Sequence, residues 1–295
     1  MITKLPVVSA AALLALSGGC MDDSSFDIGS DSQAIVGGTL NRADPAVVAI
    51  LATYAGGGQS LCTGTLVSPD VILTAAHCLN GQTPESRIVF FGSDLQQGES
   101  DPDFITAINA IDSTYDVRFS INDLAAGHDI GMIRLAEDAP VAPMPLNRTP
   151  PAVGQPIRLT GFGRIEGVPQ DGADNGGGAG IKREVVSTIR SFADAFQATG
   201  EPPDLVAYGS TVSNTCQGDS GGPNFVTVDG VEYVAGITSF GDRDCSQAGA
   251  GTRVDRYIDY ISSYVANGGS ACIDDGICEQ ACEQPDPDCD ADQCG

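Results

Sequence analysis

Cys216-Gln217-Gly218-Asp219-Ser220-Gly221-Gly222-Pro223 is the stretch around which this 295-residue chain is organised. A serine followed by two glycines and a proline, with a further glycine two residues before it, describes a tight turn in which backbone amides approach a reacting group without side-chain obstruction. A site that stabilises an oxyanion on backbone N–H groups needs such a turn. Taken alone, Gly218-Asp219-Ser220-Gly221 also suits a Gly-rich hairpin, so the residues upstream decide between the two.

The chain offers two histidines. His77 ends the apolar, β-branched run Leu73-Thr74-Ala75-Ala76-His77-Cys78, and His128 precedes Asp129, the acid that opens the apolar stretch Ile130 to Leu135. A serine hydroxyl is a weak nucleophile until an imidazole removes its proton, and the imidazole needs an acid to fix its tautomer and stabilise its charged form. His77, Asp129 and Ser220 supply all three groups.

In that order, Thr74-Ala75-Ala76-His77-Cys78, the segment from His128 to Leu135, and Cys216 to Pro223 resemble the chymotrypsin/trypsin family of serine endopeptidases, a likeness running from about Ile35 to about Gly268. It implies His77, Asp129 and Ser220 as the catalytic residues and the Gly218 and Ser220 amides as the oxyanion hole. It implies an all-β fold of two antiparallel six-stranded β-barrels followed by a C-terminal helix. The matching cysteines imply disulfides Cys62–Cys78 and Cys216–Cys245. Gly161-Phe162-Gly163 resembles the family's Gly-Trp-Gly turn, with phenylalanine for tryptophan. In such proteins, cleavage before Ile-Val-Gly-Gly frees an α-amino group that pairs with the acid preceding the serine, here Ile35 with Asp219. The chain has Ala34 where relatives commonly carry Arg or Lys, so the activating protease, or the enzyme itself, must accept alanine.

The same resemblance assigns substrate binding to Asn214, Gln217, Ser239, Gly241 and Gly249. An aspartate at position 214 would select Arg or Lys; a neutral amide does not offset a buried cation, so strict Arg/Lys specificity is not expected. Gly241 and Gly249 match the pocket-wall glycines and imply a pocket open to a large neutral side chain, with Asp242 or Asp244 near the rim able to draw a basic one. Ser239 matches the serine that supports the triad aspartate. The partners implied are protein or peptide substrates, with no cofactor and no metal.

Asp+Glu 39 against Lys+Arg 14 gives a formal charge of -25, which argues against nucleic acid or an anionic membrane as partner. Ten cysteines point to an oxidising compartment. Lys4 followed by the apolar run Leu5 to Leu16 reads as a signal peptide over residues 1–20. Ser17-Gly18-Gly19-Cys20 resembles a bacterial lipoprotein signal, so lipidation of Cys20 stands beside ordinary cleavage. Residues 21–34 read as a propeptide or spacer, acidic and Ser-rich. If Cys20 is lipidated, a cut before Ile35 also releases the domain from its anchor. The protein is expected to be secreted or held at the cell surface.

Short apolar runs separated by Gly, Pro, Asn and Asp predict strands at 46–54, 61–67, 71–75, 87–91, 130–135, 181–189, 224–228 and 232–240. They divide a protease domain of residues 35–268 into barrels of about 35–148 and 149–253 across the Pro-rich link 139–156. The apolar spacing of Val254 to Val265 predicts an amphipathic helix. Residues 167–180, nearly all Gly, Asp and Ala, predict a mobile surface loop. The Cys-rich tail 269–295 is too small for a core, so disulfides or a metal must hold it. Asp274, Asp275, Asp286 and Asp288 offer oxygen to calcium, and a disulfide-stapled attachment knob is the simpler alternative. With four cysteines in the domain and Cys20 lipidated or removed, five remain, and Cys294 is the candidate for the odd thiol. The main reading is a secreted serine endopeptidase made as a zymogen. The rival is a catalytically idle binding protein on the same fold, acting through its tail.

Overall fold

The computed structural model describes residues 35–165 and 177–266. The expectations placed on Cys20, the 21–34 spacer, the 269–295 tail and most of the 167–180 loop lie outside these residues. The elements run in order as β1 (Thr39–Leu40), β2 (Val47–Thr53), β3 (Gln59–Ser68), β4 (Val71–Thr74), β5 (Ser86–Phe91), β6 (Thr106–Tyr115), β7 (Gly131–Leu135), β8 (Pro156–Gly161), β9 (Arg183–Thr188), α1 (Phe192–Phe196), β10 (Leu205–Tyr208), β11 (Pro223–Val228), β12 (Val231–Gly241), β13 (Gly249–Arg253) and α2 (Ile258–Ala266).

The first half closes into a barrel, β2-β3-β4-β7-β6-β5, with every pairing antiparallel. Alternation along β2 shows why its sequence reads as continuous apolar residues. Val48 and Ile50 join the core that holds Leu66, Ile72, Val89, Phe91 and Ile133, whereas Val47 and Ala49 face a second core with Phe162, Phe225, Ile237 and the α2 residues Ile258 and Ile261. Both faces of the strand are buried, so no polar face is needed.

The second half departs from the expected six-stranded barrel. It is a seven-stranded antiparallel sheet in the order β1-β9-β8-β11-β12-β13-β10, and it is not closed. Where closure would occur, the isolated bridge Arg190↔Ala207 joins the chain after β9 to β10. There the chain turns into α1, whose N-cap Ser191 accepts a hydrogen bond from the Asp194 amide at 3.1 Å, so the ladder stops after one pair. The link 139–155 is free of strand. Helix α2 begins later than its periodicity predicts, because Val254–Arg256 form a 3-10 turn first.

Candidate active site

His77 and Asp129 are delivered to one end of the barrel by neighbouring strands, since β4 and β7 pair with Thr74 opposite Gly131. Beyond β4, the 3-10 turn Ala76–Cys78 carries His77, and the disulfide Cys62–Cys78 ties this turn to β3. The His77 amide donates to Asp129 Oδ1 at 2.9 Å, and its Nδ1 lies 2.7 Å from Oδ2. Ser239 of β12 donates its hydroxyl to the same Oδ2, and Thr252 Oγ1 donates to the Asp129 carbonyl at 2.9 Å. Asp129 is fully buried, and the His77 and Ser239 contacts to its carboxylate compensate its charge. His128, in the left-handed region at φ 66°, sits 2.8 Å from the Tyr257 hydroxyl and 3.3 Å from Asp116 Oδ2. It fastens the segment before Asp129 to residues that no local pattern links to it.

The serine turn is interlocked with β3. Thr63 N–H donates to the Ser220 carbonyl at 2.8 Å, Thr63 Oγ1 donates to the Gly218 carbonyl at 2.9 Å, and Cys78 Sγ lies 3.7 Å from the Ser220 carbonyl. Ser220 therefore sits against the turn that bears His77. Gly218 has φ 98°, and a Cβ there would stand 2.9 Å from the Gly163 Cα, so glycine is required on both counts. Among the described residues the Gly218 and Ser220 amides engage no other protein atom.

Asp219 is wholly buried, its oxygens accepting from the Gly163 amide at 2.7 Å and the Cys216 amide at 2.9 Å. Burial pushes its carboxyl up to about 7, against the pull of these two amides and of the Arg183 charge. Ile35 is 1% exposed in the cluster with Ile157, Leu159 and Tyr208, and Val36 bridges to Asn214. The Ile35 backbone holds φ 46°, a costly conformation for a β-branched residue.

Beside Ser220 lies a cavity of about 220 Å³ whose lining includes Thr215, Gln217, Thr238, Ser239, Gly241 and Asp242. The disulfide Cys216–Cys245 joins its walls, and Gln217 Nε2 donates to the Arg243 carbonyl at 3.2 Å. Asn214 and Gly249 stand behind the lining instead of in it. The Asn214 Oδ1 accepts from the Thr215 amide, and its Nδ2 lies 3.4 Å from Asp242 Oδ1. A Cβ on Gly249 would meet the Tyr208 ring at 2.5 Å. Tyr208, unremarked in the sequence, stands behind the lining with its hydroxyl 3.2 Å from Thr215 Oγ1 and 3.3 Å from Thr238 Oγ1. Of the two acids expected near the rim, Asp242 lines the cavity and Asp244 does not. Although burial opposes it, the Ser246, Ala248 and Gln247 amides and the Ser246 hydroxyl hold the Asp242 carboxyl below the usual range.

A hydroxyl, an imidazole and a buried carboxylate beside two unengaged amides can perform acyl transfer through a covalent intermediate. The sulfurs of Cys62 and Cys78 near His77 are bonded to each other and offer no thiolate to a metal. The chain is similar, 28% identical over 260 residues, to chymotrypsin-like elastase family member 1 of Rattus norvegicus, covering 82% of this chain and 94% of that protein. The human protein of that name is 28% identical over 83% of this chain and 97% of its own length. Brachyurin of Leptuca pugilator is 33% identical over 211 residues, 68% of this chain and 86% of that protein. The family model described as Trypsin matches residues 35–261, the span that contains the cavity, the two disulfides and the buried His77–Asp129 pair, so the chain belongs to the trypsin family and is a chymotrypsin-like serine endopeptidase.

Proposed function

We propose that Ser220 attacks the scissile carbonyl of a protein or peptide while His77 takes its proton and later returns it to the leaving amine. Asp129 holds His77 with Nδ1 protonated, leaving the other ring nitrogen for the hydroxyl. The observation that carries this reading is the doubled contact of His77 to Asp129, through the ring and through the backbone amide, with Ser239 fixing the same carboxylate. The Gly218 and Ser220 amides receive the oxyanion, each donor contributing about 3–4 kcal/mol to the transition state. Water then releases the acyl group.

The pocket takes a neutral side chain of moderate size. Thr215 and Thr238 line it, the Tyr208 hydroxyl backs both of them, and the Asp242 charge is already met by three amides and a hydroxyl. The enzyme is a zymogen activated by cleavage between Ala34 and Ile35. In support, Ile35 is buried and Asp219 lacks a full countercharge among the described residues. Cleavage removes the carbonyl that defines the Ile35 φ angle and supplies an ammonium group. Two disulfides suit an exported protein. A serine-directed phosphonate should label Ser220 in protein processed at Ile35 and leave Ser220→Ala unlabelled; a processed protein with no label and no cleavage of a peptide library is the idle binding protein instead.

A further inference from the structure

A cleft of about 660 Å³ opens along α2, and none of the proposed catalytic or pocket residues lines it. Val67, Leu146, Tyr233, Ile261 and Val265 line it, and Arg148 is the one charged residue among the described residues that line it. Arg134 of β7 fixes the adjoining end of α2 by donating to the Tyr264 carbonyl at 3.0 Å. Val228, which also lines the cleft, and Val231 across the β11–β12 turn are 38% and 47% exposed. An apolar surface of this extent on an otherwise strongly acidic chain calls for an occupant.

We propose that the occupant is the chain's own Cys-rich tail, seated through Ile273 and Ile277 with its acidic side chains beside Arg148. Three facts converge on this segment. Ala266, where the described chain ends, itself lines the cleft. From there Ile273 is seven residues on, a reach of up to about 25 Å for extended chain, and Asn267-Gly268-Gly269 permits the chain to reverse. Between Asn267 and Gly295 the only large aliphatic side chains are Ile273 and Ile277, and there are acids but no lysine, arginine or histidine. An apolar pair in an acidic segment matches an apolar cleft whose one charged lining residue, among the described residues, is the cation Arg148. Tethering by a few flexible residues places the tail at about millimolar effective concentration, which favours it over a free partner. The inference does not depend on the catalytic reading.

Hydrogen exchange on dilute full-length Ser220→Ala protein, which removes the nucleophile, tests the seat. The amides of residues 144, 146–149 and 261–266 should exchange at least about fivefold faster when Ile273→Asp and Ile277→Asp are introduced together. Arg148→Glu, on an exposed side chain, should move the same amides in the same direction and speed cutting after Glu279 and Glu283 by a glutamate-specific protease. Exchange and cutting that are the same in all three proteins overturn the proposal. Protection that disappears on dilution and ignores the isoleucine changes also overturns it, and assigns the cleft to a second copy of the chain.

Discussion

Asp129 carries three tasks with one carboxylate: it receives the His77 amide, the His77 ring and the Ser239 hydroxyl, all in a fully buried place. Asparagine at this position keeps the shape but puts an N–H where two donors already point. The ring must then present its other tautomer, and its proton occupies the nitrogen that should accept from Ser220. Asp129→Asn is therefore expected to lower kcat by about 10⁴ with little change in KM. Ser239→Ala removes one charged hydrogen bond and keeps the tautomer, so a loss of about tenfold is expected. Steady-state kinetics on both variants separate the two roles. Equal losses would mean that the Asp129 charge, and not its orientation of His77, is what matters.

Each part of the site rides on an element that holds it from outside the motif. Cys62 lies in β3 opposite Ile50, and its disulfide to Cys78 pins the turn that carries His77. Closing a loop of this size stabilises by about 3 kcal/mol, so Cys62→Ser with Cys78→Ser should lower Tm by about 6–12 °C. Because the freed turn carries the base and not the pocket, kcat should fall more than KM rises. A drop in Tm with unchanged kcat would show that the backbone bond from His77 to Asp129 suffices to hold the ring. The sequence reached the family and these strands because the proposed nucleophile, base and acid each sit in a short local pattern, and because β2, β4 and β7 are buried on both faces. It did not reach β6, where Ala107, Asn109, Ile111 and Asp112 face solvent and the apolar alternation is weak. It also missed β13, which has two glycines in five residues because Asn224 and Tyr208 crowd against them. The unclosed second sheet, the Tyr208 hydroxyl behind the pocket and the His128–Tyr257 contact depend on residues far apart in the chain, where no local spacing carries a signal.

At the scale of the whole molecule, the proposed activation makes Asp219 the group that links folding, processing and pH. Burial raises its carboxyl from 3.8 to about 7 in the uncleaved chain, so the folded state holds a proton that the unfolded state gives up. That contribution is complete below about pH 4 and is lost as pH rises towards 7. Cleavage before Ile35 supplies an ammonium group, which favours the charged carboxylate and removes this loss. Uncleaved Ser220→Ala protein should therefore lose at least about 5 °C in Tm between pH 4 and 7 relative to the same protein processed at Ile35. An α-amine normally titrates near 7.7–8.0 and rises when paired, so the advantage of the processed form should persist through neutral pH. It should then decline as alkaline pH strips the ammonium proton, and activity should decline with it. Differential scanning calorimetry of the two forms from pH 4 to 10 gives both limbs. Melting curves that run parallel over the whole range would separate Ile35 from Asp219 and leave the 46° φ angle of Ile35 as the main stored difference between the precursor and the processed chain.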